Sequence, residues 1–467
     1  MKPFTIKNMI VATALLLSLA SCEKSFLELT PPTSLTPEYA LATEADLQVA
    51  LRGAYAGLKT TGQYGRSLPV LGDLMADNTY ISVQNTGRYP GFSLYNYTVG
   101  DGDVTALWQN SYTVILRANN IINSKIADNA NVLQYKGEAY AIRALAYFNL
   151  VRYFATPYTQ DPNALGVPLV TVYNPDTKPG RAKVSEVYDQ INRDLTQAFT
   201  LMTKFTNSSQ FSKYAAEALQ AKVYLTMGNM TAAKTAALDV INNSGFTAVT
   251  AANHAAYWAG AAPLTSKLET LFEVSFDAVS NNGFDALAYI YLQSGNYGDM
   301  LCNSELYSKF DAADVRKALY TTGTRGGLAS VFVTNKFTSY SGDHTDTKVL
   351  RLSEMYLIAA EASYPTSTTD ALTYVNKVTA NRGAPAITSS GAALLEDIIL
   401  ERRKELAFEG DRYLDMQRLK RNITRSTDYP ASARSIDFTN FRRLMPIPQV
   451  ELDANPTIKA QQNPGWN

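Results

Sequence analysis

Between Lys213 and Asn243 the chain sets small side chains where two helices would touch and an aromatic where they would part. Ala221 stands three residues before Tyr224, Gly228 and Asn229 mark a turn, and Ala232, Ala233, Ala236 and Ala237 lead into Val240 and Ile241. Small residues at helical spacing let two backbones approach closely, and a Gly-Asn break returns the second helix antiparallel to the first. One such pair cannot bury its own apolar face, so copies must stack against it. Residues 350–380 repeat the plan with Tyr356, Ala359, Ala360, a Pro/Ser/Thr turn and Ala371.

The unit resembles a tetratricopeptide repeat, whose period is about 34 residues. Further helical periodicity runs from Leu107 through Val114, Ile115, Ala118, Ile121 and Ile122. Residues 137–154 are apolar over a broad face, which predicts burial on more than one side. A helix is expected from Ser185, as N-cap, to Met202, and another from about Glu38 that packs through Ala45, Val49, Ala50, Gly53 and Ala54. Two stretches break the pattern. Residues 59–105 are rich in Gly, Asn, Asp and Tyr, and 244–340 form a Gly/Asn/aromatic insertion in which Leu271–Asp277 alternates like a strand. Long irregular insertions on a helical frame are where binding usually sits.

The N-terminus constrains location. Lys2 and Lys7 precede an apolar run from Met9 to Ala20 that closes on Leu19-Ala20-Ser21-Cys22. A basic start, a short hydrophobic stretch and small residues mark a secretory signal. The run falls short of the roughly 20 apolar residues a spanning helix needs. The cysteine resembles that of a bacterial lipobox, where the thiol is acylated and becomes the new N-terminus. Residues 1–21 are therefore read as signal peptide, 22–37 as a proline-rich tether, and 38–467 as one unit. Within that unit, helical repeats are placed at about 107–243 and 350–420, and binding loops at about 59–105 and 244–340. With Cys22 lipidated, Cys302 has no disulfide partner within the chain.

Removing the signal leaves 40 basic against 42 acidic side chains, a balance that argues against a nucleic-acid partner. Two histidines, His254 and His344, give a metal site or a Ser/His/Asp triad little material, and no cofactor is expected. Glu401, Arg402, Arg403, Lys404, Glu405, Glu409, Arg412 and Asp415 are the densest charges. Two carboxylates can hydrolyse a glycoside, but one helical turn apart and interleaved with cations they favour i,i+4 ion pairs instead. A non-catalytic protein is the stronger reading. Among 29 tyrosines, those in the aperiodic loops have no face to bury them. Sugar rings stack on aromatic planes, while their hydroxyls need Asp, Asn and Arg partners. The candidate ligand residues are Arg66, Asp77, Asn78, Tyr80, Arg88, Tyr89, Trp258, Tyr291 and Tyr297.

Five ordered segments carry a family resemblance: LWQNSYTVILRANNII (107–122), EAYAIRALAYFNLVRYF (138–154), RLSEMYLIAAEA (351–362), ILERRKELAFEGDRYLDMQRL (399–419) and MPIPQVELDANPTIKAQQNPGW (445–466). Together with the lipobox they resemble the SusD/RagB outer-membrane lipoproteins of Bacteroidetes, over nearly the whole mature chain. The resemblance implies a mainly α fold of about four tetratricopeptide-like pairs with loop-rich insertions and little β. It also implies lipid anchoring in the outer membrane facing the exterior. The implied role is capture of oligosaccharides for a TonB-dependent SusC-like transporter, with peptide ligands or a surface glycosidase as alternatives. Ligand loops share no motif across that family, so no binding residue is carried over from it.

Overall fold

The computed structural model of the protein describes residues 41–260, 262–294, 297–337 and 344–466, so Cys22 and the 22–37 tether lie outside the described residues. Nine long helices form the frame: α1 (Glu44–Leu58), α2 (Gly102–Ile122), α3 (Ala130–Phe154), α4 (Val184–Leu201), α5 (Lys213–Met227), α6 (Met230–Asn243), α7 (Leu352–Ser363), α8 (Thr368–Asn381) and α9 (Gly391–Glu405). They stack as the pairs α1/α2, α3/α4, α5/α6 and α7/α8, with α9 closing the end. Each pair buries its apolar face on the next, the physical requirement read from the 213–243 unit.

Helix α3 is the inner layer. From Gly137 to Phe154 nearly every side chain is buried, which the broad apolar face predicted. Inside it, the Arg143 guanidinium donates to both carboxylate oxygens of Asp194 on α4 at 2.8 and 2.6 Å and to Asn119 on α2 at 2.8 Å, tying three helices together.

Two helix starts differ from expectation. Helix α1 begins at Glu44 because Thr43 and Asp46 form a reciprocal capping box. It packs through Leu47, Leu51, Ala54 and Leu58, at i, i+4, i+7 and i+11, whereas Val49 is 64% exposed and Gly53 faces open space. Ala54 is buried as expected, and Leu47, Leu51 and Leu58 hold the rest of the face in place of Val49 and Gly53. At α4 the N-cap is Lys183, whose backbone N–H donates to Glu186 at 2.8 Å, and Ser185 lies inside the first turn.

The expected strand is β2 (Thr270–Val274), buried along its whole length and paired antiparallel with β6 (Thr347–Arg351). The sequence pattern did not anticipate a second sheet of β1 (Thr79–Ile81), β3 (Met300–Cys302), β4 (Tyr320–Arg325) and β5 (Leu328–Val333) in the order β1-β3-β5-β4. Gly326 and Gly327, at φ 56° and 80°, make the two-residue turn that lets β4 and β5 pair. Cys302 is fully buried in β3, and burial pushes its thiol up, away from a nucleophile's range.

One continuous core runs from α1 to the β sheets, and a smaller one under α7, α8 and α9 gathers Leu357, Ala371, Val375, Leu394 and Ile398.

Candidate functional site

The two irregular segments meet on one face beside the frame. Arg66 precedes the short helix Ser67–Leu74, and Asp285 ends the turn Gly283–Asp285 that follows Asn281-Asn282. Arg66 Nη1 donates to Asp285 Oδ1 at 2.6 Å and Arg88 Nη2 to the same oxygen at 3.2 Å. The Arg88 guanidinium lies 4.0 Å over the Tyr297 ring. Tyr297 in turn sits 5.8 Å from Tyr289 and 6.5 Å from Phe284, centre to centre. Phe284 is 59% exposed and Tyr297 part-exposed, while Tyr289 is buried beneath them. Arg325, at the end of β4, donates to Gln293 at 2.7 Å and to the Tyr297 carbonyl, which holds the segment in place.

The electrostatics of this face are balanced. Tyr89 is buried and its phenol accepts from Arg66 Nε at 2.6 Å. Burial, then the Asp103 charge, pushes that phenol up to about 12, so it stays neutral. Burial likewise raises the Asp103 carboxyl, with Arg66 pulling the other way. Burial lowers Arg88, yet its hydrogen bonds to Tyr297 and Asp285 outweigh that and leave it above the ordinary arginine value.

Of the nine residues expected to bind, Arg66, Arg88 and Tyr297 come together here, and Tyr89 supports them from beneath. Tyr80 is half-buried on β1, where its ring lies 6.0 Å from that of Tyr429. The others are corrected by burial. Asp77 is held by Arg412 at 2.8 and 2.9 Å, with Arg403 at 3.4 Å. Burial would raise its carboxyl, but those guanidiniums bring it down to about 2. Asn78 donates to Asp73 at 2.6 Å and accepts from Arg403 at 2.9 Å, with no exposed surface. Trp258 is buried, donating to His254 Nε2 at 3.1 Å, with Lys336 4.3 Å over its ring. Burial lowers His254 to about 4, consistent with a neutral acceptor. Tyr291 is buried and stacked 5.0 Å from Phe337. Phe284 and Asp285 were missed. The signal available was an aromatic-acid pair straight after an Asn-Asn-Gly turn, a place where a phenylalanine has nothing local to pack on.

The dense C-terminal charges also differ from expectation. Their partners are mostly distant elements rather than neighbours on one helix. Glu405 accepts from Arg382, Arg351 and Arg316, Glu409 pairs with Arg351 and Lys336, and Arg402 bridges Glu354 and Asp415. Burial would raise Glu405, but the three guanidiniums hold it well below the usual carboxylate range. A carboxyl so held cannot serve as a general acid.

Comparison with known proteins agrees with this architecture. The family described as "SusD family" matches residues 249–466, and the one described as "Starch-binding associating with outer membrane" matches 25–225. A SusD-like protein of Formosa agariphila is 31% identical, over 98% of this chain and 100% of its own. The chain belongs to the SusD family. A SusD superfamily structure from Bacteroides vulgatus superposes with a TM-score of 0.84 at 28% identity, covering 91% of this chain and 99% of the other. One from Bacteroides thetaiotaomicron gives 0.82 at 30% identity, covering 91% and 100%. This SusD-family chain has the mainly helical fold that the repeats predicted. SusD-like proteins are binding proteins, and no helix of the described residues is long and apolar enough to cross a membrane.

Proposed function

We propose that this chain is a surface-exposed outer-membrane lipoprotein that captures oligosaccharides and passes them to a TonB-dependent transporter of the SusC kind. The observation that carries the reading is the exposed Phe284 ring beside the part-exposed Tyr297, both set against a buried Tyr289 and flanked by the Arg66–Asp285–Arg88 bridge. Flat rings offer stacking surface to the C–H faces of a sugar, and fixed guanidinium and carboxylate edges offer partners to its hydroxyls. The description of the family matched over residues 25–225, with its starch binding and outer-membrane association, supports the same reading. Cys22 would supply the membrane attachment, and the repeat pairs a surface for the transporter.

Calorimetry of the mature protein against oligosaccharide and peptide panels tests it. Binding to oligosaccharides is expected, with Tyr297→Ala and Arg88→Ala each weakening it by about 1 kcal/mol while the helical signal is kept. Binding to peptides alone would replace the ligand class. Unchanged affinity in both variants would move the site away from this face. Co-purification of a large β-barrel from native outer membranes, lost in Cys22→Ala, is the matching test of anchor and partner.

A further inference from the structure

We propose that Asp285 sets the charge preference of this face, so that it takes uncharged oligosaccharides and turns away those carrying carboxylate or sulfate. The inference rests on the binding reading above and adds the ligand's charge to it.

Three guanidiniums, Arg66, Arg88 and Arg325, stand here against three carboxylates, Asp103, Asp285 and Asp299. Asp299 is fully buried and accepts from the Thr86 backbone N–H at 3.0 Å, with Arg88 Nη1 4.0 Å away. Asp103 accepts from Ser67 at 3.1 Å and lies 3.9 Å from Arg66. Asp285 differs from both. It is 54% exposed, and a single oxygen joins the two arginines that border the aromatic rings. Arg325 spends its donors on Ser82, Gln84, Gln293 and Tyr297 and holds the wall rather than facing a ligand.

The consequence is electrostatic. An anionic group approaching Arg66 or Arg88 must displace Asp285 or sit beside it, and like charges in contact repel. Two arginines bound to one carboxylate, 13% and 23% exposed, keep guanidinium edges that a neutral hydroxyl can meet. The site is therefore arranged for polar recognition with little free positive charge. Neutralising Asp285 would release that charge, and the face would then attract acids in the manner of a paired-arginine anion site.

The test is an oligosaccharide array holding neutral gluco-, xylo-, galacto- and manno-oligosaccharides beside oligogalacturonates, alginate oligomers and sulfated galactans. It is probed with the mature protein, Asp285→Asn and Asp285→Ala. The unsubstituted protein is expected to bind within the neutral set. Both variants should gain acidic ligands by about tenfold or more, with the gain falling as salt rises and vanishing in Asp285→Asn/Arg88→Gln. Preference of the unsubstituted protein for acidic oligosaccharides, or no acidic gain in either folded variant, would overturn the inference. If the unsubstituted protein binds no oligosaccharide while the variants gain the acidic ones, the charge role of Asp285 holds and the oligosaccharide reading fails.

Discussion

Replacing Glu405 with alanine is expected to lower the unfolding free energy by about 4 kcal/mol, since breaking a buried ion pair from one side typically costs about 3–5. Its carboxylate accepts from Arg382 at 2.6 and 3.0 Å, from Arg351 at 2.8 Å and from Arg316 at 3.0 Å, and all three arginines are buried. Arg316 keeps Asp314 and Arg351 keeps Glu409, but Arg382 is left with a 3.7 Å contact to Glu269 and the Val249 carbonyl. The penalty comes from charge stranded out of water, not from the value of one hydrogen bond. Glu396→Ala on the same helix is the control. That side chain is 60% exposed and pairs with Arg421 at the surface, so its loss should cost less than about 1 kcal/mol. The pH dependence has a definite sign. The folded state holds Glu405 well below its ordinary value, so its contribution is present above the unfolded carboxylate range and is lost as pH falls through and below it. The gap between parent and Glu405→Ala should thus narrow towards pH 3. Urea titrations at neutral and acid pH read both effects, and equal costs for Glu396→Ala and Glu405→Ala would refute the account.

Gly72→Ala is expected to cost about 3 kcal/mol or more, beyond ordinary overpacking because backbone meets backbone. A Cβ at Gly72 would lie 1.9 Å from the carbonyl oxygen of Gly410 and 2.5 Å from its Cα. No side chain is present that could move aside. The contact also seats Asp73, whose buried carboxylate accepts the backbone N–H of Phe408 at 3.1 Å and of Gly410 at 2.8 Å. Burial raises that carboxyl to about 7 even with those bonds and Asn78 opposing, so separating the two backbones would strand a group that is already costly. Gly53→Ala in α1 meets nothing within 4 Å and should instead stabilise by about 0.5–1 kcal/mol. Denaturation midpoints moving in opposite directions would bear this out. A Gly72→Ala midpoint level with the parent would exclude the close approach.

The repeat frame was legible because helical periodicity and small-residue spacing are local properties. The α5/α6 and α7/α8 pairs fall where Ala221–Ile241 and Tyr356–Ala371 indicated. Boundaries were less legible: Leu47 and Leu51, not Val49 and Gly53, took the buried face of α1, a choice made by the neighbouring helix. The candidate site was legible in part. Aperiodic aromatics pointed to two segments that the fold brings together on one face, yet Asp77, Asn78, Trp258 and Tyr291 proved to be interior. The partners of Asp77, Arg403 and Arg412, lie more than 300 residues away, beyond any local pattern.

By itself the sequence determined that this chain stacks helical pairs, and its N-terminal pattern and ordered motifs pointed to an exported member of the SusD family. The stacking follows from residue types at fixed short spacings, and the family reading from the resemblance those motifs carry. Tertiary structure decided which loop side chains face water, which charges pair, and that Asp285 stands between Arg66 and Arg88. The reason is that exposure and ion pairing depend on what another part of the chain brings within about 4 Å, and spacing along one segment does not contain that distance.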